Sequence, residues 1–347
     1  MPSPDLRTDG PPPGADDPAI VLSGYGPVGQ AYAERLLTRG DGLARDHGVR
    51  PRLAAVRVGS AQVLLRDDGP VPPRTEWEPL PPLEQTLDRT GARVLVQALP
   101  SSPQAREQAA AEAVLALRRG VHVVTATKSH LLSHWSELGE AARAGGSLIR
   151  ISGATGAALP TADLARTGVR GLGCRSIRAC PNGTATFVLD RLAAGDPLER
   201  AIGEAQRRGI AEADPSADLS GADAATKARL IAALLWGWEP SAVRVEAEPV
   251  DAGAGRAAVA AAARGRRVRA VASASADRPL VVEVRLEETA PGDPLYALAG
   301  PEKAVVYGCP DAGDITVSGG RSSPLGAALA LLRDTLDVTV PRTFGFG

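Results

Sequence analysis

Apolar residues in this chain come first in short runs and later in alternation. Ala19–Ser23, Leu53–Val58, Arg93–Gln97 and Val121–Thr125 are runs of strand length, the pattern of strands buried on both faces. Val28–Arg39, Gln104–Arg119 and Leu131–Ala144 lie between or after them and read as helices, the first two stopped at Gly40 and Gly120. Strands alternating with helices predict a parallel sheet with right-handed crossovers over residues 19–150. Residues 66–84, rich in proline and charge, are expected as a loop within an insert at 61–84.

After about residue 150 the pattern changes. Leu198–Arg208, Ala222–Leu235 and Gly326–Leu336 read as helices, while Val243–Val250, Val268–Ala276 and Leu280–Glu287 alternate like antiparallel strands. The fold class is therefore α/β: a Rossmann-type dinucleotide-binding domain, then an α+β substrate or dimerisation domain over 151–313 with a mainly antiparallel sheet. The segment 314–340 is a candidate to return to the first domain. Residues 1–18, rich in Pro, Gly and Asp, read as a disordered tail.

Composition narrows the class. The hydrophobic share is 44% but aromatics reach only 3%, so the core must be built from Ala, Val and Leu. A net charge of -1 gives no reason to expect nucleic acid or an anionic membrane as partner. Cys174, Cys180 and Cys309 are odd in number and lack CxxC spacing, which favours a reducing cytoplasm over a disulfide framework. No signal peptide and no bilayer-spanning apolar run is read.

Gly24-Tyr-Gly26-Pro27-Val28-Gly29 fits G-x-G-x-x-G between a strand and a helix, the context that turns a glycine-rich turn into a phosphate loop. The first glycine permits the turn, the second lets backbone approach a pyrophosphate, and the third lets helix and strand pack. The helix start at Pro27 and Val28 adds unpaired N–H groups. An acid for the adenosine ribose is missing at the end of the second strand, where Arg57-Val-Gly-Ser60 stands instead. NADP or NAD is expected, with Arg57 tilting the expectation towards NADP.

Of 39 basic residues only Lys128, Lys227 and Lys303 are lysine. Lysine is a compact amine that can release a proton, which arginine cannot. Asp223 and Lys227 stand four apart on one helix and share a face, so the carboxylate can orient the amine. An exposed pair at this spacing is the bland alternative, but Glu212, Asp214 and Asp218 crowd just upstream. Lys128 follows a strand and so falls at the strand's carboxyl end, where ligands bind in such sheets. Asn182-Gly183-Thr184 reads as a turn entering a helix, either offering N–H groups to a carboxylate or serving as a plain N-cap. His130 and His134 have metal-binding spacing without an obvious third ligand. Lys303 lies outside these patterns and is expected on the surface.

Gly24–Gly29, Val123–Lys128, Gly156–Pro160, Asn182–Thr184, Gly209–Pro215 and Asp218–Lys227 together resemble the homoserine dehydrogenase family over about 19–235, and more faintly to 340. The resemblance implies NAD(P)-dependent interconversion of L-homoserine and L-aspartate 4-semialdehyde in the cytoplasm, in the threonine and methionine pathways, by a homodimer or higher homo-oligomer. It implies Lys227, Asp223 and Lys128 as catalytic and Glu212, Asp218, Asp223, Gly183 and Thr184 as substrate-binding. Cofactor contacts are implied for the loop residues, Arg57, Ser101, Lys128 and Gly313. A monovalent cation on Thr155, Ala157 and Leu159 is the one metal site the resemblance suggests.

The chain departs from the family pattern in three places. Thr127 stands where the family usually has Asn, Ser152 where it often has Glu, and Gly308–Gly313 replaces its glycine-rich C-terminal turn. A related dehydrogenase acting on another small amino-acid aldehyde or hydroxy acid, or a non-catalytic nucleotide-binding protein, are the alternatives. Without an added regulatory domain after the last helix, feedback inhibition through one is not expected.

Overall fold

A computed structural model describes residues 17–66, 69–320 and 322–340. Most of the expected N-terminal tail lies outside these residues. Asp17 and Pro18 do not belong to it: Pro18 accepts a hydrogen bond from Arg52 N at 2.9 Å, and Asp17 accepts one from Arg50 N at 3.1 Å.

The first sheet contains β1 (Ala19–Ser23), β2 (Arg52–Val58), β3 (Ala61–Leu64), β4 (Glu78–Pro79), β5 (Val94–Gln97), β6 (His122–Thr125) and β7 (Ile149–Arg150). Its order is β4-β3-β2-β1-β5-β6-β7. β1, β2, β5, β6 and β7 run parallel, as their continuous burial demands, while β3 and β4 add an antiparallel edge. The expected loop at 66–84 is thus partly structured, since Glu78 and Pro79 pair with β3.

The second sheet contains β8 (Ser176–Cys180), β9 (Arg244–Ala247), β10 (Arg267–Ser275), β11 (Arg278–Thr289), β12 (Lys303–Gly308) and β13 (Ile315–Gly319), in the order β13-β12-β8-β10-β11-β9. Only β9, on β11, pairs in parallel. β8, β12 and β13 were too short and irregular in pattern to be read as strands. The predicted Val243–Val250 shortens to β9, and helices at Gly183–Ala193 and Ala252–Ala262 complete the domain.

Two features join the halves. The helix Ala222–Trp236 puts Leu230 into the core of the first sheet and Ala224, Ala225, Ala228 and Ile231 into that of the second. The helix Pro324–Thr339 returns to the first domain, where Ala328, Leu331 and Leu332 pack beside Tyr32 and Leu36, and Tyr32 Oη lies 2.9 Å from Thr335 Oγ1. The candidate returning segment therefore divides: β13 stays with the second sheet and only the helix crosses back.

Candidate active site

The phosphate loop is shaped by its three glycines in three different ways. Gly24 has φ 99°, and a Cβ there would lie 2.4 Å from Ala98 O. A Cβ on Gly29 would lie 2.2 Å from Gly24 O. Around Gly26 a Cβ would meet nothing within 4 Å, so that side of the loop is open to an incoming group. Pro27 occupies the first turn of the helix Pro27–His47, where its missing N–H costs nothing. The loop fits a pyrophosphate: backbone crowding on two sides, open space on the third, and a helix start behind it.

Lys128 leaves β6 on the carboxyl edge of the sheet, as Gly24 leaves β1 on the same edge. With β5 between them, the two positions are roughly 10 Å apart along the edge at ordinary strand spacing. Thr127 is buried and ties this edge together, since its Oγ1 accepts from Leu99 N at 2.9 Å and donates to Leu99 O at 3.2 Å. Threonine at this position thus fixes the loop that carries Ser101, which is exposed on the same edge.

Across the seam stands the helix Ala222–Trp236, opened by left-handed Gly221 at φ 80°. Asp223 lies in its first turn, where a carboxylate complements the helix dipole. Lys128 Nζ donates to Asp223 Oδ1 at 2.5 Å and Lys227 Nζ to Oδ2 at 2.6 Å. Lys227 also donates to Pro181 O at 2.9 Å. An ammonium has three N–H donors, so these bonds leave one for a substrate oxygen. Asn182 Nδ2 donates to Asp218 Oδ1 at 2.5 Å and to Asp223 Oδ2 at 2.8 Å, while its Oδ1 accepts from Ala185 N. The asparagine therefore caps a helix, as the sequence allows, and also binds two carboxylates, which the sequence does not show.

Electrostatics follows this packing. Burial pushes the Asp223 pKa up, but the two ammoniums outweigh it and hold the group well below the usual carboxylate range. Burial opposes the Lys128 ammonium, yet Asp223, with Asp218 and Glu212 behind it, raises its pKa overall. Glu212 is exposed and Asp218 half-buried, so both present negative charge beside Lys128. Gly183 is required by a close approach, because a Cβ would lie 2.4 Å from Pro301 O. Thr184 spends its hydroxyl on Ile210 O at 3.2 Å.

Three expectations are corrected. Lys303 is not on the surface: it is 2% exposed, and its Nζ donates to Gly156 O at 2.8 Å. Burial first, then the nearby Lys227, lowers its pKa to about 7. All three lysines thus converge on one region. Arg57 does not reach a cofactor phosphate: it is buried, donates to Gln62 Oε1 and Pro81 O at 3.0 Å each, and also bonds Thr86. Gln62 on β3, with Pro81 and Thr86 from the segment that follows β4, takes up its terminal guanidinium nitrogens. Gly313 lies in the turn after Gly308, at the far end of β12 from Lys303, roughly 16 Å along the strand. The left-handed pair Gly319–Gly320 occupies the near end instead, against Leu159.

Sequence reasoning also passed over Arg74 and Trp77. The Arg74 guanidinium carbon lies 4.9 Å from the centre of the Trp77 ring, which packs 5.8 Å from Tyr25 inside the phosphate loop. His130 is fully buried with neither ring nitrogen hydrogen-bonded, while His134 turns to Ser133 and Glu107. Among the described residues no group of three or more His, Cys, Asp or Glu is placed to hold a metal ion.

Comparison with known proteins bears on this arrangement directly. The profile described as "Homoserine dehydrogenase" matches residues 160–336, and "Homoserine dehydrogenase, NAD binding domain" matches 24–152. The chain belongs to the homoserine dehydrogenase family. The homoserine dehydrogenase of Sulfurisphaera tokodaii is 26% identical over 322 residues, covering 91% of this chain and 97% of that protein. That of Corynebacterium glutamicum is 29% identical over 232 residues, 67% of this chain; the match spans half of that longer protein. In fold, the chain superposes on a hyperthermophilic archaeal homoserine dehydrogenase in complex with NADPH with a TM-score of 0.76 at 23% identity, covering 94% of this chain and 99% of that one. As a member of the homoserine dehydrogenase family the chain is an NAD(P)-dependent oxidoreductase. Among its described residues no helix is long and apolar enough to cross a membrane.

Proposed function

We propose that this chain interconverts L-homoserine and L-aspartate 4-semialdehyde by hydride transfer with NAD(P). The observation that carries the proposal is the buried Asp223 carboxylate holding Lys128 and Lys227, one on each oxygen, beside the carboxyl edge of a dinucleotide-binding sheet. A bound dinucleotide supplies or accepts the hydride. In the reducing direction the Lys227 ammonium stabilises the developing alkoxide and donates the proton to it; in the oxidising direction the amine takes that proton back. Asp223 orients Lys227. Lys128 holds positive charge between the sheet edge and the substrate, and Glu212 and Asp218 receive the substrate ammonium. The N–H groups of Gly183 and Thr184, at the start of the helix Gly183–Ala193, receive its carboxylate, since the Thr184 hydroxyl is already bonded.

With Arg57 withdrawn, Arg74 is the arginine that stands by the loop, exposed and stacked on Trp77. It supports binding of a 2′-phosphate, and so of NADP as well as NAD. A homodimer is the assembly this proposal expects, to be tested by light scattering. We place the reaction in the cytoplasm, which keeps the free cysteines Cys174, Cys180 and Cys309 reduced.

A substrate panel tests the proposal. Purified chain is mixed with L-homoserine, L-serine or 4-hydroxybutyrate and each dinucleotide, and the absorbance of reduced nicotinamide is followed. The highest kcat/KM is expected for L-homoserine. A folded sample that turns over none of them, or prefers another, overturns it.

A further inference from the structure

The turn after β7 closes on an amine. Ser152 opens a short helical turn, and both its N–H and its hydroxyl are bonded to Asp334, at 2.8 and 2.7 Å. The chain then bends sharply: Ala157 has φ 52°, and a Cβ on Gly156 would lie 2.2 Å from Leu159 O. Four carbonyls of this turn, Ser152, Gly156, Ala158 and Leu159, already have donors. Ser152 O accepts from Gly156 N and Thr155 Oγ1 at 3.2 Å each, and Ala158 O from Arg333 Nη1 at 3.2 Å. Leu159 O accepts from Thr161 N at 2.8 Å. Gly156 O accepts from Leu159 N at 3.2 Å and from Lys303 Nζ at 2.8 Å.

A monovalent cation on Thr155, Ala157 and Leu159 does not fit this arrangement. An alkali ion needs several oxygens directed at one point, with negative charge nearby. Here two basic side chains, Lys303 and Arg333, already donate into the turn, and the Asp334 carboxylate at its start is committed to Ser152. Wherever the amine carries its proton, a second cation would sit beside a like charge with little water between them.

We infer that Lys303 Nζ takes the place of a monovalent cation in the 152–161 turn, so that this chain does not depend on which alkali ion is present. The amine ties β12, and with it the edge of the second sheet, to the turn that leads into the seam beside Lys227. Lys303 is thus a positioning residue, acting on the cluster through the backbone at Gly156. Serine suffices at position 152 because no metal ion there needs a carboxylate.

Thermal melting in sodium, potassium and choline chloride at equal ionic strength tests this without any turnover, so the result stands whatever the substrate proves to be. The wild-type melting temperature should be the same in all three salts. In Lys303→Ala, where the amine is removed, sodium or potassium should raise the melting temperature in a saturable way that choline does not match. A saturable, ion-specific rise in the wild type overturns the inference, as does a folded Lys303→Ala protein with no ion-specific response. If Lys303→Ala does not fold, the wild-type comparison decides alone.

Discussion

At the phosphate loop, six consecutive residues and the sterics of three glycines set the geometry. At the ammonium cluster, side chains from positions 128, 182, 223 and 227 do, with Lys303 buried beside them, and only the folded chain brings these together. The loop is rigid because backbone meets backbone: Ala98 O behind Gly24, Gly24 O against Gly29. The cluster is held by charge, so its order depends on Asp223 remaining ionised between two amines. Substitutions should therefore act on binding at the first region, and on stability and chemistry together at the second.

Asp223→Asn should produce the largest break. It keeps the shape but removes the charge, leaving the amines uncompensated; we expect a rate loss of roughly 10²–10³ and a stability loss of about 3–5 kcal/mol. Steady-state kinetics and urea unfolding check both, and an unchanged protein would show that the cluster is not held by charge. His130, two residues beyond Lys128, comes next. Burial, then His134, lowers its pKa to about 4. Between that value and about 6.5 the unfolded chain binds a proton that the folded chain refuses, so stability falls as pH drops through this window, by up to about 3 kcal/mol. His130→Leu should lose that share of the acid slope in urea unfolding at several pH values; an identical slope would exclude His130 as its source.

At the loop, Gly26→Val should weaken dinucleotide binding about tenfold or more, about 1.4 kcal/mol, without changing the melting temperature, because its Cβ enters open space. Gly24→Val should lower both. Equal melting losses in the two variants would erase the contrast between an open and a crowded glycine. The smallest effect belongs to Arg74→Ala: a several-fold rise in Kd for NADP with little change for NAD, the scale of one exposed charge contact. Calorimetric titration with each dinucleotide reads it, and equal losses for both would remove Arg74 from the 2′-phosphate.

The same contrast explains what could be read from the sequence. The phosphate loop was legible because its residues are contiguous and their context, strand before and helix after, is local. Asp223 and Lys227 were legible because one helix fixes their spacing. Lys303 was misplaced because β12 is buried by pairing with β8, far earlier in the chain, and a short apolar run after a lysine carries no sign of that burial. Arg57 was misassigned for a related reason: its partners are Gln62 and Pro81, in the segment read as an irregular insert, and Thr86 on the helix just after it. Asn182 showed its capping role in the sequence but not its bonds to Asp218 and Asp223, which require the helix Ala222–Trp236 to dock against its turn.

The most direct test of the account compares wild type and Lys227→Ala side by side. Each is titrated with dinucleotide and then mixed with L-homoserine while reduced nicotinamide is followed. The account predicts closely similar dinucleotide Kd values and a rate at least about 10²-fold lower in the variant, the scale of a lost general acid–base group. Equal rates in the two proteins, or no reduction by a wild type that binds dinucleotide, would contradict it.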